Sequence, residues 1–208
     1  MTERPPTPVR LRTAAVELFA ERGFNGTGIR DIATRAETTL SSLYHHCGSK
    51  DDLLVDIMFT TIEPLLRAAE KVRATLAGPA EQLSMIVEQH VWAHGVDPQA
   101  NIVSDTEVRA LSGERRDQII VLRDAYEEFW QETVAEGVQD GSFDVEHPRI
   151  VTRALLEMCT SVSHWYRPTG ELALDDLSHL YADRALALMG ARSRRSDLQI
   201  PEPAHFLG

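Results

Sequence analysis

His90 and His94 stand four residues apart, with Glu88 two residues upstream. On a helix that spacing turns two imidazoles to one side, the geometry of half a metal site. No His-Glu-x-x-His completes it, so the pair reads as one buried and one wet histidine on an amphipathic helix, and no metal is expected. The sequence also holds no glycine-rich phosphate loop and no Ser or Cys nucleophile motif. No catalytic residue or cofactor is predicted, and Cys159 reads as an inert core thiol. A second set is richer. Thr27, Thr39, Ser41, Ser42, Tyr44, His45 and Lys50 crowd a short stretch with the hydroxyls, imidazole and ammonium that bond phosphate oxygens and base edges.

Short helices must present such groups. Leu11, Ala14, Ala15, Leu18 and Phe19 fall on one helical face. Gly23 supplies a left-handed stop, and Phe24 is placed to fold back on Phe19. Thr27 is the expected N-cap of a second helix that buries Ile29, Ile32, Ala33 and Ala36. Thr39 caps a third that turns Leu43 and Cys47 inward and ends at Gly48. Ser49 to Asp52 forms a capping box for a fourth, which Pro64 is expected to break or kink near residue 60. Further helices are predicted at about 79–95, 98–111, 115–139, 148–165 and 174–190, punctuated by Gly and Pro. No stretch alternates with period two, so the predicted fold is all-α. The expected organisation is a head at 1–48, a helical body at 49–191 and a tail at 192–208, disordered or draped on a neighbour.

Three short helices with a tight turn between the last two describe a helix-turn-helix. In that arrangement the second helix braces the third, which enters a groove about 12 Å wide. The net charge of −11 argues against a nucleic-acid partner until its distribution is considered. Residues 1–50 hold seven Lys/Arg against five acids, whereas the remainder holds 14 against 27. That asymmetry suits a chain of which one end meets phosphate. A 43% hydrophobic fraction is ordinary for a globular protein, no apolar run reaches membrane-spanning length, and the first residues carry no hydrophobic leader. Two cysteines build no disulfide framework, so a cytoplasmic, reducing location is expected.

The residues Ala14-Ala15, Leu18-Phe19-Ala-Glu-Arg-Gly23-Phe24, Thr27-Gly-Ile-Arg-Asp-Ile-Ala33, Leu43-Tyr44-His45-His46 and Lys50-Asp-Asp-Leu53-Leu54 resemble the DNA-binding head of the TetR family of bacterial repressors. The resemblance implies a homodimeric, all-helical repressor whose larger C-terminal domain binds a small effector. It implies further that Thr27, Thr39, Tyr44, His45 and Lys50 hold phosphates, while Leu40, Ser41 and Ser42 face base edges. The sequence departs from the family pattern at Glu37-Thr38, where a Gly and an apolar residue are usual. It departs again at Cys47, usually aromatic, and at Ser41, commonly Gly. At Glu37 a left-handed backbone costs about 1 kcal/mol.

In the body, apolar residues exceed what the helical stripes require. Met58, Ile62, Leu66, Ile86, Val87, Ile102, Val103, Leu122, Tyr126, Phe129, Met158 and Trp165, with His90 and Thr106, are the candidate lining of an effector cavity. The pieces Asp105 to Leu111, Leu122 to Glu127, Gly141 to Phe143 and Trp165 to Gly170 resemble the branch that regulates fatty-acid and sterol-side-chain breakdown. Members of that branch respond to acyl-coenzyme A thioesters, which implies an elongated apolar cavity and an arginine (Arg109, Arg123 or Arg167) for the anionic end. The helix at 174–190 carries Leu177, Leu180, Tyr181, Arg184 and Leu188 on one face and Ala182, Ala185 and Ala187 for close packing. The last two helices are therefore expected to form the dimer, matched to a palindromic operator. The rival reading is a helical small-molecule carrier or enzyme with an incidental N-terminal domain.

Overall fold

The computed structural model describes residues 4–201, and the last seven residues of the predicted tail lie outside them. Among the described residues every regular element is a helix. The helices are α1 (Thr7–Arg22), α2 (Ile29–Arg35), α3 (Leu40–Cys47), α4 (Lys50–Thr75), α5 (Pro79–Val96), α6 (Pro98–Thr106), α7 (Gly113–Asp140), α8 (Pro148–Thr160), α9 (Val162–Trp165) and α10 (Leu174–Leu188). Single 3-10 turns follow α6 at Glu107–Ala110 and α10 at Arg195–Asp197. The predicted helix at 148–165 is divided, because Ser161 closes α8 before α9 begins. No helix of the described residues is long and apolar enough to cross a membrane.

Compactness divides the chain otherwise than at residues 48 and 191: one unit is 1–61 with 99–121, the other 62–98 with 122–208. Both α4 and α7 contribute to each. Pro64 lies just past the first of these divisions, yet α4 runs through it without interruption, so the expected break does not occur. Pro64 removes one N–H, while Thr60 and Thr61 bond backbone carbonyls one turn back through their hydroxyls.

The first unit is built on Leu11, Ala15, Leu18, Phe19, Ile32, Leu43, Leu53, Leu54 and Ile57, all essentially without solvent contact. Phe24 folds back on Phe19 with ring centroids 5.2 Å apart. Gly23 has φ 71° but ψ 164°, so the chain leaves α1 extended rather than by the expected left-handed turn, a conformation open essentially to glycine. Three contacts tie in α4 and the 99–121 stretch: Arg12 Nε donates to Asp56 at 2.7 Å, Thr61 Oγ1 to Ser104 Oγ at 3.0 Å, and Arg115 Nε to Asp52 at 2.8 Å.

In the second unit α5 is buried on almost every side and forms the axis. Leu83, Val87 and Val91 meet Tyr126, Phe129, Trp130 and Val134 of α7, Leu155 and Cys159 of α8, and Leu177, Ala182 and Ala185 of α10 in one core. Gly95 admits α10: a Cβ there would come within 2.3 Å of Leu174. Arg73 bridges Glu132 and Glu136 over the Phe129 ring. The tail corrects another expectation. Part of the predicted tail is held on its own chain, since Arg195 docks on buried Glu88 and Leu198 and Ile200 pack on the core.

Candidate nucleic-acid interface

Helix α3 owes its orientation to Leu43, which is wholly buried. Fixing that residue inward stabilises the head by about 2–3 kcal/mol and turns the opposite face to solvent. Ser41, Tyr44 and His45 stand on that exposed face, Tyr44 at 49% exposure, while Leu40 and Ser42 are half-buried beside them. Thr39 is the N-cap as predicted: its Oγ1 accepts from the Ser42 N–H at 3.1 Å and keeps its own O–H for a phosphate oxygen. Gly48, at φ 70° and ψ −71°, makes the turn into α4 that few other residues could make. There Ser49 Oγ accepts from the Asp52 N–H at 3.0 Å and donates to Asp52 Oδ2 at 2.6 Å. This hydroxyl, helped by Arg115, holds the Asp52 carboxyl below the usual carboxylate range.

Two of the predicted phosphate ligands serve inside the head instead. Thr27 is not the cap of α2, a position Gly28 holds, and it is 2% exposed. Its hydroxyl donates to the carbonyls of Leu18 at 3.1 Å and Gly23 at 2.9 Å, so it closes the α1–α2 corner. Lys50 donates to the carbonyls of Phe24 at 2.8 Å and Thr27 at 2.9 Å, with its ammonium 4.1 Å from the Phe24 ring centre. Its phosphate role is thereby reduced to the one remaining N–H. Arg30 on α2 is exposed and lies outside the sequence-based set. Its neighbours Arg12, Arg22 and Arg35 all pair with acids, whereas Arg30 makes no ion pair among the described residues. The signal available in the sequence was the lack of an acid three or four residues away on α2.

The turn between α2 and α3 carries the anticipated strain: Glu37 sits at φ 50°. Arg4 holds its carboxylate at 2.6 Å, and Arg10 donates to the Ala36 carbonyl at 2.7 Å. Glu37→Gly should therefore stabilise the head by about 1 kcal/mol in thermal denaturation and tighten DNA binding, since strain and a carboxylate are removed together. Unchanged stability with weaker binding would contradict this account of the turn.

The predicted effector residues lie in both units. In the second, Ile62, Ile86, Val87, His90, Tyr126 and Phe129 are buried, and Leu66 and Leu122 are half-buried. In the first, Met58 and Val103 are buried and Ile102 is half-buried, but Thr106 and Arg109 are exposed. Met158 and Trp165, at 37% and 48% exposure, are surface residues rather than interior lining. Arg167 is exposed and donates to the Tyr166 carbonyl, and Arg123 is half-buried.

Both histidines of the opening pair are buried, contrary to the expectation of one wet ring. They stack with centroids 4.0 Å apart, and His90 spans the Tyr126 hydroxyl at 3.1 Å and Thr160 Oγ1 at 3.0 Å. No group of three or more potential metal ligands occurs among the described residues. Burial, with His94 adding, pushes the His90 imidazole well below its ordinary range, so the ring is neutral near pH 7. The unfolded chain then binds a proton that the native chain refuses, and stability falls as pH drops below about 6.5. His90→Gln should flatten that slope in denaturation curves at pH 5 and pH 7; an undiminished slope would assign it to other groups.

An exposed polar face on a braced, capped third helix defines a helix-turn-helix protein. Family models match twice: bacterial regulatory proteins of the tetR family over residues 11–57, and the tetracyclin repressor-like C-terminal domain over residues 76–189. The chain belongs to the tetR family of bacterial regulatory proteins. It is 31% identical to the HTH-type transcriptional repressor KstR2 of Rhodococcus jostii, over 82% of this chain and 85% of that protein. Two solved structures share the fold. The ketosteroid transcriptional regulator KstR2 of Mycobacterium tuberculosis has a TM-score of 0.81 at 24% identity, over 92% of this chain and 98% of that one. AibR in complex with isovaleryl coenzyme A and operator DNA has a TM-score of 0.76 at 24% identity, over 89% and 100%.

Proposed function

We propose that the protein is a cytoplasmic, homodimeric transcriptional repressor that leaves a palindromic operator when a small apolar effector, an acyl-coenzyme A thioester, binds its C-terminal part. The observation that carries the reading is the head: Thr39, Ser41, Tyr44 and His45 stand outward on a helix fixed by Leu43. The relatives support the rest, since one is named a repressor and a structural neighbour is described with both a thioester and operator DNA. Thr39, Tyr44 and His45 hold phosphates, joined by Arg30 and the last N–H of Lys50, while Leu40, Ser41 and Ser42 face base edges.

Apolar exposure supports the dimer. Ile150 and Met158 of α8, Trp165 of α9, and Leu180 and Leu188 of α10 are all more than a third exposed, and Trp165 stacks on half-buried Tyr181 at 6.4 Å. Scattered single residues would need no partner, but a set shared by three consecutive helices does. Leu177, Ala182 and Ala185 were expected in this face and instead pack within their own subunit. For the effector, buried Ile86, Val87 and Phe129 supply apolar surface, and the His90–Tyr126–Thr160 chain supplies a neutral donor and acceptor for a carbonyl or hydroxyl. Helix α4 follows α3 after a link of two residues, Gly48 and Ser49, and continues into the second unit, a covalent path for the change that effector binding imposes.

Fluorescence anisotropy of an operator duplex with and without a saturating thioester tests this reading. The expected result is a loss of operator affinity of about tenfold or more. Affinity indifferent to every thioester overturns the effector class. Tight ligand binding without salt-dependent DNA affinity overturns the repressor and favours a carrier or enzyme.

A further inference from the structure

A helix leaves its last four carbonyls without an intrahelical donor. At the end of α2 the turn supplies three donors: the Ala36, Glu37 and Thr38 N–H groups bond the carbonyls of Ile32 at 2.9 Å, Thr34 at 3.0 Å and Ala33 at 2.9 Å. The crossed bonds from Glu37 and Thr38 make a Schellman motif, which needs the left-handed backbone that Glu37 adopts at φ 50°. A Cβ disfavours that conformation, so contacts elsewhere must hold the turn closed. Past the motif, the carbonyls of Ala36 and Glu37 both accept from one side chain, Arg10 of α1. Its Nη1 reaches them at 2.7 Å and 3.3 Å, and its Nη2 donates to Thr7 Oγ1 at 3.1 Å.

The Arg10 Nε is buried and has no hydrogen-bond partner among the described residues, so the guanidinium takes its orientation from the turn and leaves one donor unmet. A cation at the C-terminal end of α2 is also favoured by the helix dipole. In the last turn of α2, Arg35 bonds Glu17 at 2.8 Å and Glu21 at 3.3 Å, both on α1. Two guanidiniums, one from each helix, thus tie α1 to the end of α2. Only residues 36–39 separate α2 from α3, so a shift in the turn shifts α3. Base-edge contacts tolerate such a shift poorly because hydrogen bonds weaken steeply with misalignment, whereas long charged side chains follow phosphates through it.

On the reading that α3 meets base edges, we propose that Arg10 is a positioning residue for operator recognition: through the Ala36 and Glu37 carbonyls it holds the strained turn, and thereby α3, in the placement that reads sequence. Fluorescence anisotropy of the full chain, well below each variant's thermal midpoint, compares a duplex that the parent selects from a random-sequence pool with a scrambled duplex of the same composition. Arg10→Met is expected to bind the selected duplex about tenfold or more weakly and the scrambled duplex within about twofold of the parent, at an unchanged salt slope. Arg10→Lys, which keeps the charge and can replace one carbonyl bond, is expected to fall between the parent and Arg10→Met. Should Arg10→Met not fold, Arg10→Lys alone carries the comparison, with a loss confined to the selected duplex. In a Glu37→Gly background the Arg10→Met loss is expected to shrink, because glycine holds the left-handed turn without strain. Equal weakening on both duplexes, with a salt slope lower by about one per contact, makes Arg10 a phosphate ligand and overturns the proposal. A lowered thermal midpoint with both affinities unchanged overturns it too, leaving a stabilising contact alone. An undiminished loss in the Glu37→Gly background separates Arg10 from the turn and does the same. A parent that selects no duplex is a failure of the repressor reading itself, seen before any variant is made.

Discussion

Replacing Arg195 by alanine is expected to lower the stability of the protein by about 3–5 kcal/mol, the range for removing one partner of a buried ion pair. Glu88 has no solvent exposure, and Arg195 covers it through Nε at 2.5 Å and Nη2 at 3.3 Å. With only 14% of the Arg195 side chain exposed, solvent screens little of the interaction, and His179 stands at 3.8 Å from the carboxylate as the weaker neighbour. Truncating the guanidinium leaves a carboxylate inside α5, the axis of its unit. Urea denaturation of the parent, Arg195→Ala, Glu88→Gln and the double variant gives the coupling between the two residues directly. Recovery of part of the loss in the double variant is the expected signature. A single variant within about 1 kcal/mol of the parent would show that the tail contributes only a surface contact.

Tyr44→Ala is expected to weaken operator binding by two to three orders of magnitude at nearly unchanged stability. Each lost hydrogen bond to a charged phosphate is worth about 1.5–3 kcal/mol, and the proposed dimer would lose it at both half-sites. The side chain is half exposed, so its removal opens no cavity. Leu43→Ala, one residue earlier, is the opposite case: it should cost about 2–5 kcal/mol of stability because that side chain is fully buried. Retained binding in Tyr44→Ala would strike this residue from the DNA contacts, whereas equal destabilisation of both variants would contradict the assigned orientation of α3.

These two residues show what the sequence made legible. Periodicity separated Leu43 from Tyr44, and capping chemistry placed Thr39 and Ser49, because each signal lies within four residues of its partner. Partners farther off were not legible. The Thr27 hydroxyl bonds a carbonyl nine residues back, Lys50 bonds carbonyls more than twenty residues back, and Glu88 meets a residue 107 positions away. Cap and phosphate ligand have the same residue type, so only the corner formed by α1 and α2 decides between them at Thr27. For Met158 and Trp165, an apolar side chain carries no mark of whether it faces its own core or a second copy. Of the break or kink expected at Pro64, the break does not occur, because a single lost N–H is tolerated in a helix as long as α4.

The most direct test of the central claim is selection of random-sequence duplexes by the full-length protein, scored for sequence symmetry. The account predicts enrichment of a twofold-symmetric motif with half-sites about one helical turn, roughly 34–36 Å, apart, bound about 10³-fold less tightly at 200 mM than at 50 mM salt. A pool that shows no enriched motif, with every duplex bound equally or not at all, would contradict it.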